Sequence, residues 1–436
     1  MENQNYPRVL VINGEPFNSS SATGITLSNL FRGWPKEKIA QVYTSKTQPD
    51  LDLCNRNWRF SNRDLLFASQ LNQLRKRNSN PTGSTISANT NLNHQPAGLL
   101  SAKNGKLRNL LIPWIDLLPY QFSSEFLKWI EDFKPQLIYS LLGNIRLIGA
   151  VEQLSSRFSI PVVPHFMDDW ISTYSSPGHG RISTEFHKNI IHKRLLHLMK
   201  RSPNGLSIGD AMAEEYKKKF NIPFEAFMNP IQPSDALLGN SARPELPIQF
   251  VYVGGLHLSR WENLKEIGES MVELRKDGLE VQLLVYAPRS DILEYRSVLE
   301  SVQVQVCGTL EPEQVPGVLQ RSHVVVHVES FQKMDMQYTR LSVSTKIPQY
   351  FAAGLPVFAY APSEVASSRY VRDSNAGFVV GQKDPGLLRT AIQTLVQDSN
   401  LRAKLGSFGR QVALERHDEV KVRDRFRKVL ARSAKV

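Results

Sequence analysis

The sequence predicts an α/β protein: two tandem Rossmann-like, doubly wound domains followed by a C-terminal helical tail. Three observations point there. Short, nearly continuous apolar runs alternate with helical stretches in both halves of the chain, the pattern of parallel sheets covered on both faces. A length of 436 residues exceeds one ordinary core and suits two or three domains. A proline-bearing, aperiodic segment at 233–247 separates the halves as a linker.

The first domain, 1–232, opens with RVLVIN, Arg8 to Asn13, a buried strand. The loop GEPFNSSSATG leads to an amphipathic helix that runs through Leu30 and stops at Gly33-Trp34-Pro35. IAQVY is the second strand, and strand-loop-helix-strand at this spacing is a right-handed crossover unit. Residues 78–102 are polar and turn-rich without apolar periodicity, which predicts a mobile insertion or spacer. The next elements are the helix FSSEFLKWIEDF, the strand QLIYSLL, a helix from Ile145 to Phe158 and the strand PVVPHF. That strand runs into Met167-Asp168-Asp169-Trp170. A basic helix from Thr184 to Lys200, the strand GLSIG, the helix AMAEEYKKKF and the closing segment FEAFMNP complete the half.

The second domain, 248–410, repeats the theme with six apolar strands: QFVYVG, VQLLVYA, VQVCG, HVVVHV, PVFAYA and GFVVG. Between HVVVHV and PVFAYA the reading is a polar crossing and one short helix, STKIPQYFAAG, closed by Gly354. From Asp384 onward the chain reads as helix, and its last portion, 411–436, is amphipathic and basic.

Composition narrows the function. Hydrophobic content of 41% and charged content of 22% are those of a soluble globular protein. Two distant cysteines, Cys54 and Cys307, without a Cys/His cluster predict neither disulfide nor zinc site; no cofactor is expected, and Asp168-Asp169 without a third ligand is a thin case for a metal. The polar lead MENQNYPR and the absence of a long apolar run predict a cytoplasmic protein without signal peptide or membrane span. A formal net charge of +12 suggests an anionic partner. Nucleic acid is not expected, because no zinc finger, RNP-type strand or basic zipper is present. A peripheral contact with the inner membrane face fits the charge better.

The candidate site centres on His327 to Tyr360. The apolar run Val324 to Val328 ends at Glu329, and a turn of Ser344, Thr345 and Lys346 precedes the next helix. In open parallel sheets, ligands bind beyond the carboxyl ends of the strands. Helix amides and a lysine suit phosphate, and a carboxylate suits sugar hydroxyls through charge-assisted hydrogen bonds. Together they read as a sugar-nucleotide site. After QFVYVG, the glycines Gly254 and Gly255 permit close backbone approach, and Arg260 opens the next helix, placed for a diphosphate. The glycine pair also fits an ordinary tight turn.

YVGGLHLSRWENLKEIGESMVEL resembles the opening of the donor domain in GT-B-fold, retaining, nucleotide-sugar glycosyltransferases of family four. The resemblance implies that Arg260 takes the place of a helix-opening lysine that contacts the donor diphosphate. Gly255 stands where the family has an arginine. VHVESF followed by QYFAAGLPVFAY resembles the family's glutamate pair. Glu329 then matches the residue that contacts the transferred sugar, and Gln349 matches the one that holds the ribose. Ser330 to Pro348 separate the two, a longer spacing than the family's. In the first half, IPVVPHFMDDW resembles a strand ending in His-Asp, with Met167 at the histidine position and Asp168 at the aspartate. His165, two residues off, does not replace it. Asp168 and Asp169 are candidates for binding acceptor or sugar hydroxyls, with helix capping as the other reading. Gly24 matches the family's N-terminal loop near the reaction centre.

The implied activity is retaining transfer of a sugar from a nucleotide-diphosphate donor to a glycan or lipid-linked acceptor, in bacterial surface polysaccharide synthesis. Arg260 and Lys346 would stabilise the departing diphosphate without a metal. A non-catalytic sugar-nucleotide or polysaccharide-binding protein and a sugar-nucleotide epimerase of similar fold are the rivals.

Overall fold

The structure is a computed structural model, and it describes residues 6–61, 64–65, 117–174, 181–232, 238–239 and 245–435. The predicted insertion at 78–102 and most of the linker at 233–247 lie outside the described residues. The chain divides into two compact units. The first comprises residues 1–207, 213–225 and 425–436; the second comprises 208–212 and 226–424.

The first unit is built on a seven-stranded sheet in the order β3-β2-β1-β4-β5-β6-β7. The strands are β1 (Val9–Ile12), β2 (Ile39–Tyr43), β3 (Asn57–Arg59), β4 (Leu137–Ser140), β5 (Val162–Phe166), β6 (Gly205–Ser207) and β7 (Phe224–Ala226). β1 lies inside the sheet, parallel to β2 on one side and β4 on the other. The strands expected from apolar runs are β1, β2, β4, β5 and β6. Sequence reasoning missed β3 and β7, the two edge strands. Each has three residues and no fully buried position, so neither carries the apolar run that marks a covered strand.

The second unit holds a six-stranded sheet, β10-β9-β8-β11-β12-β13. Its strands are β8 (Ile248–Val253), β9 (Val281–Tyr286), β10 (Gln305–Gly308), β11 (Val324–Val328), β12 (Val357–Tyr360) and β13 (Gly377–Val380). All five pairings are parallel. Period-two alternation divides β11 between two apolar layers. Val324, Val326 and Val328 pack with the helices Arg260–Lys276 and Pro385–Gln397. Val325 packs on the other face with Ile347, Tyr350 and Phe351 of the helix Ile347–Ala352. Both faces are covered, as a doubly wound sheet requires.

The crossing between β11 and β12 contains a helix that sequence reasoning did not anticipate, Lys333–Thr339. Its seven residues include only one buried position, Thr339, so no apolar periodicity announces it. The tail is helical as expected, in the helices Pro385–Gln397, Ser399–Val412 and Glu419–Ser433 with a π-helical turn at Ala413–His417. The Phe426 ring lies in the first unit, 5.1 Å from Phe31, 5.7 Å from Tyr139 and 6.3 Å from Trp34. No helix among the described residues is long and apolar enough to cross a membrane.

Candidate functional site

In the second unit the strand order reverses between β8 and β11: from β8 the chain builds outward through β9 and β10, and from β11 through β12 and β13. A crevice beyond the carboxyl ends at such a reversal is where open α/β sheets bind ligands. Glu329 leaves β11 at this point, only 4% exposed. Arg260 opens the helix after β8 and meets it. The Arg260 Nε donates to Oε2 of Glu329 at 3.2 Å, and Nη2 donates to Oε2 at 2.9 Å and to Oε1 at 3.1 Å. Such a fork fixes the orientation of both groups.

The turn between β8 and the helix is held from several sides. Tyr252 Oη donates to the Gly255 carbonyl at 2.6 Å, and Asp291 Oδ2 accepts from the Leu256 amide at 2.7 Å. Leu258 and Ser259 both sit at φ 54°, in the left-handed region, at about 1–2 kcal/mol each for residues other than glycine. His257 Nε2 lies 3.3 Å from Arg260 Nη1. A Cβ on Gly255 would fall 2.5 Å from the His257 ring. The imidazole thus occupies the space beside the position where the resembled family carries an arginine. A Cβ on Gly254 would strike the Lys346 ammonium and come within 3.0 Å of Tyr252 Oη. Glycine there makes room for the lysine.

Lys346 immediately precedes the helix Ile347–Ala352, and its Nζ lies 5.8 Å over the Tyr252 ring. Burial pushes its ammonium down to about 8, with Arg260 adding to the shift and Glu329 opposing it. His327 sits two residues before Glu329, on the same face of the strand. It is 5% exposed, with Nε2 3.7 Å from Glu329 Oε1. That Nε2 has no hydrogen-bond partner among the described residues. Burial pushes His327 down to about 4, so the ring is neutral at pH 7. Asn263, 1% exposed, donates from Nδ2 to the Glu329 carbonyl at 2.7 Å and to the Tyr360 carbonyl at 3.3 Å. It ties the helix to the ends of β11 and β12, and so fixes the backbone that carries the carboxylate.

The structure therefore gathers Glu329, Arg260, Lys346, Gly254 and Gly255 in one place. Ser344 and Thr345 immediately precede Lys346 in the chain, the Ser344 amide donating to Ser367 Oγ at 3.1 Å and Thr345 being exposed. Gln349 is exposed on the short helix that follows. Sequence reasoning missed His257, Asn263, Asp291 and His327. Period-two spacing from Glu329 was a signal for His327; the others become visible only through folded contacts.

The remaining candidates belong to the first unit. Asp168 is half-buried just after β5. Asp169 is fully buried, and its Oδ1 accepts from Tyr216 Oη at 2.7 Å and Ser172 Oγ at 2.9 Å. It fixes the loop from within. His165 is fully buried with Nδ1 2.7 Å from Tyr139 Oη, a core contact. Gly24 leaves room for the Asn18 side chain, which a Cβ would strike. Its amide donates to Oγ of the N-cap Ser21 at 3.0 Å. No group of three or more His, Cys, Asp or Glu residues that could hold a metal ion occurs among the described residues.

Residues 247–398 match the family described as Glycosyl transferases group 1. No curated protein sequence matches the chain. Among solved structures, the chain is similar to Anabaena HepE in complex with UDP and glucose, at 12% identity and a TM-score of 0.60, covering 98% of this chain and 100% of that one. It is similar also to sucrose-phosphate synthase from Thermosynechococcus elongatus, at 13% identity and a TM-score of 0.60, covering 98% of each. The lipopolysaccharide outer core galactosyltransferase WaaB matches at 11% identity and a TM-score of 0.57, covering 98% of this chain and 100% of that one. Residues 247–398 are thus a glycosyl transferases group 1 domain, and the chain shares the fold of these glycosyltransferases.

Proposed function

We propose that the chain transfers a sugar, with retention of anomeric configuration, from a nucleoside-diphosphate sugar to a glycan or lipid-linked acceptor in surface polysaccharide synthesis. The donor belongs to residues 248–410 and the acceptor to the first 232 residues, where Asp168 is the candidate contact. One observation carries the reading: a carboxylate and two cations, Glu329, Arg260 and Lys346, meet where the strand order of the second sheet reverses. The cations suit a departing diphosphate, whose negative charge grows as the glycosidic bond breaks. The carboxylate suits the sugar, whose ring gains positive charge in the same step. Ser344, Thr345 and Gln349 complete the donor side, Gln349 taking the ribose through its amide. Similarity to HepE in complex with UDP and glucose supports a UDP-sugar as the first donor to test.

A thermal-shift screen of nucleotides and sugar nucleotides tests this directly. A donor at 100 times its Kd is expected to add about 2.7 kcal/mol to stability. A screen in which no nucleotide raises Tm would remove the donor site. Exposed Gln349, standing where the resembled family has a glutamate, favours a second reading, binding without turnover. Release of free nucleoside diphosphate on mixing donor with acceptor separates the two.

Donor affinity should also report on Lys346. Its ammonium titrates at about 8 in the free protein, and only the protonated form attracts phosphate. Nucleoside diphosphate affinity is therefore expected to weaken as pH rises from about 7 to about 9. Lys346→Gln should bind more weakly and lose this dependence, as isothermal titration across the pH series would show. An unchanged profile in the variant would take Lys346 out of the diphosphate site.

A further inference from the structure

Beside the Arg260–Glu329 pair, His327 holds a ring nitrogen that the free protein leaves unused. The residue is 5% exposed, and its Nε2 has no hydrogen-bond partner among the described residues. An acceptor stands just out of reach. Glu329 Oε1 is 3.7 Å from Nε2, where a hydrogen bond closes at about 2.7–3.2 Å. A buried donor left unmade carries its full desolvation cost, so such a group points to a second state in which it is satisfied. Arg260 holds the carboxylate away, gripping it through both oxygens. The backbone beneath is pinned: His327 and Val328 pair with Ala359 and Tyr360 in β12, and Asn263 Nδ2 ties down the Glu329 carbonyl. The missing distance must therefore come from rotation of the Glu329 side chain. Period-two spacing puts both side chains on the same side of the chain, and a shift of about 1 Å is enough.

We propose that His327 is the partner to which Glu329 passes when a nucleoside diphosphate draws Arg260 away. The proposal rests on the donor reading above. Phosphate oxygens take the guanidinium, the released carboxylate turns toward the imidazole, and His327, with its proton on Nε2, donates to Oε1. The carboxylate is then held in a fixed direction for the sugar and is not stranded as an unpaired buried charge. Burial keeps the ring neutral at pH 7, with Glu329 opposing and Arg260 and Lys346 assisting. What it offers the carboxylate is a directed hydrogen bond. His327 is thus a positioning residue, acting on the donor through Glu329.

Calorimetric titration of UDP into the full chain tests the hand-over, using the wild type, His327→Phe, Glu329→Ala and the double variant. The first change keeps a ring of similar bulk and removes the N–H. Alone, it should weaken UDP binding about tenfold, the low end for a hydrogen bond to a charged group. Added to Glu329→Ala, it should cost less than about twofold, because no carboxylate remains to receive the proton donor. His327→Gln, which carries an amide N–H at similar reach, should recover most of the affinity. Thermal melts check that each form is folded, and His327→Leu serves the same cycle if His327→Phe is not. A merely structural fault at this position would weaken both backgrounds alike. Equal losses in the two backgrounds, or no loss in either, would overturn the proposal and leave the donor reading standing. Absence of UDP binding to the wild type would strike the donor reading itself, and this proposal with it.

Discussion

Glu329→Ala is expected to lower the rate of sugar transfer by about 100- to 1,000-fold, the usual loss for one electrostatic contact aimed at developing charge. Nucleoside diphosphate binding should persist or tighten in the same variant. The reason lies in the free protein, where the carboxylate already holds the Arg260 fork through three short contacts. On the proposed reading, a diphosphate competes with that carboxylate for the guanidinium. Removing the competitor frees the cation, while removing the sugar contact slows the chemistry. Steady-state kcat measured beside a calorimetric Kd for UDP would show the split. If binding weakened while kcat held, Glu329 would be serving the ligand's phosphates and not its sugar.

Arg260→Met should cost about 3–5 kcal/mol of stability, the range for stranding one partner of a buried ion pair. The lower end is the better expectation, because the arginine side chain is 16% exposed and water can reach part of the vacated space. Combining it with Glu329→Gln should restore most of the loss, since the remaining amide carries no charge to strand. Urea unfolding of both single variants and the double variant closes the cycle. Diphosphate binding should stay weak in both variants that lack the arginine, whatever their stability. A loss under about 1 kcal/mol for the single change would place this pair with solvated surface bridges.

Much of this was legible in the chain itself. Each strand buried on both faces was visible as an apolar run, including Val324 to Val328, whose end locates Glu329. The glycine pair and Arg260 were legible as a candidate site because phosphate-binding turns use those residue types, and the fold brings them beside Lys346 and Glu329. What escaped was structure made by contact. β3 and β7 are edge strands too short to carry a pattern. Asn263 sits in a helix like any polar residue, and only the fold brings its amide to the carbonyls of Glu329 and Tyr360. Asp169 illustrates the reverse case. Two adjacent aspartates look equivalent in a sequence, but Tyr216 and Ser172 draw one inward while its neighbour stays half-exposed.

The placement of Phe426 bears on the order in which the molecule can be made. Its ring completes an aromatic cluster with Phe31, Trp34 and Tyr139, and burying such a side chain contributes about 1.5–3 kcal/mol. Synthesis runs from the amino end, and domains generally fold as they emerge. Here the core of the first unit waits for residues that are made only after the whole of the second. A nascent chain halted before Arg425 would hold a finished second half and an unfinished first.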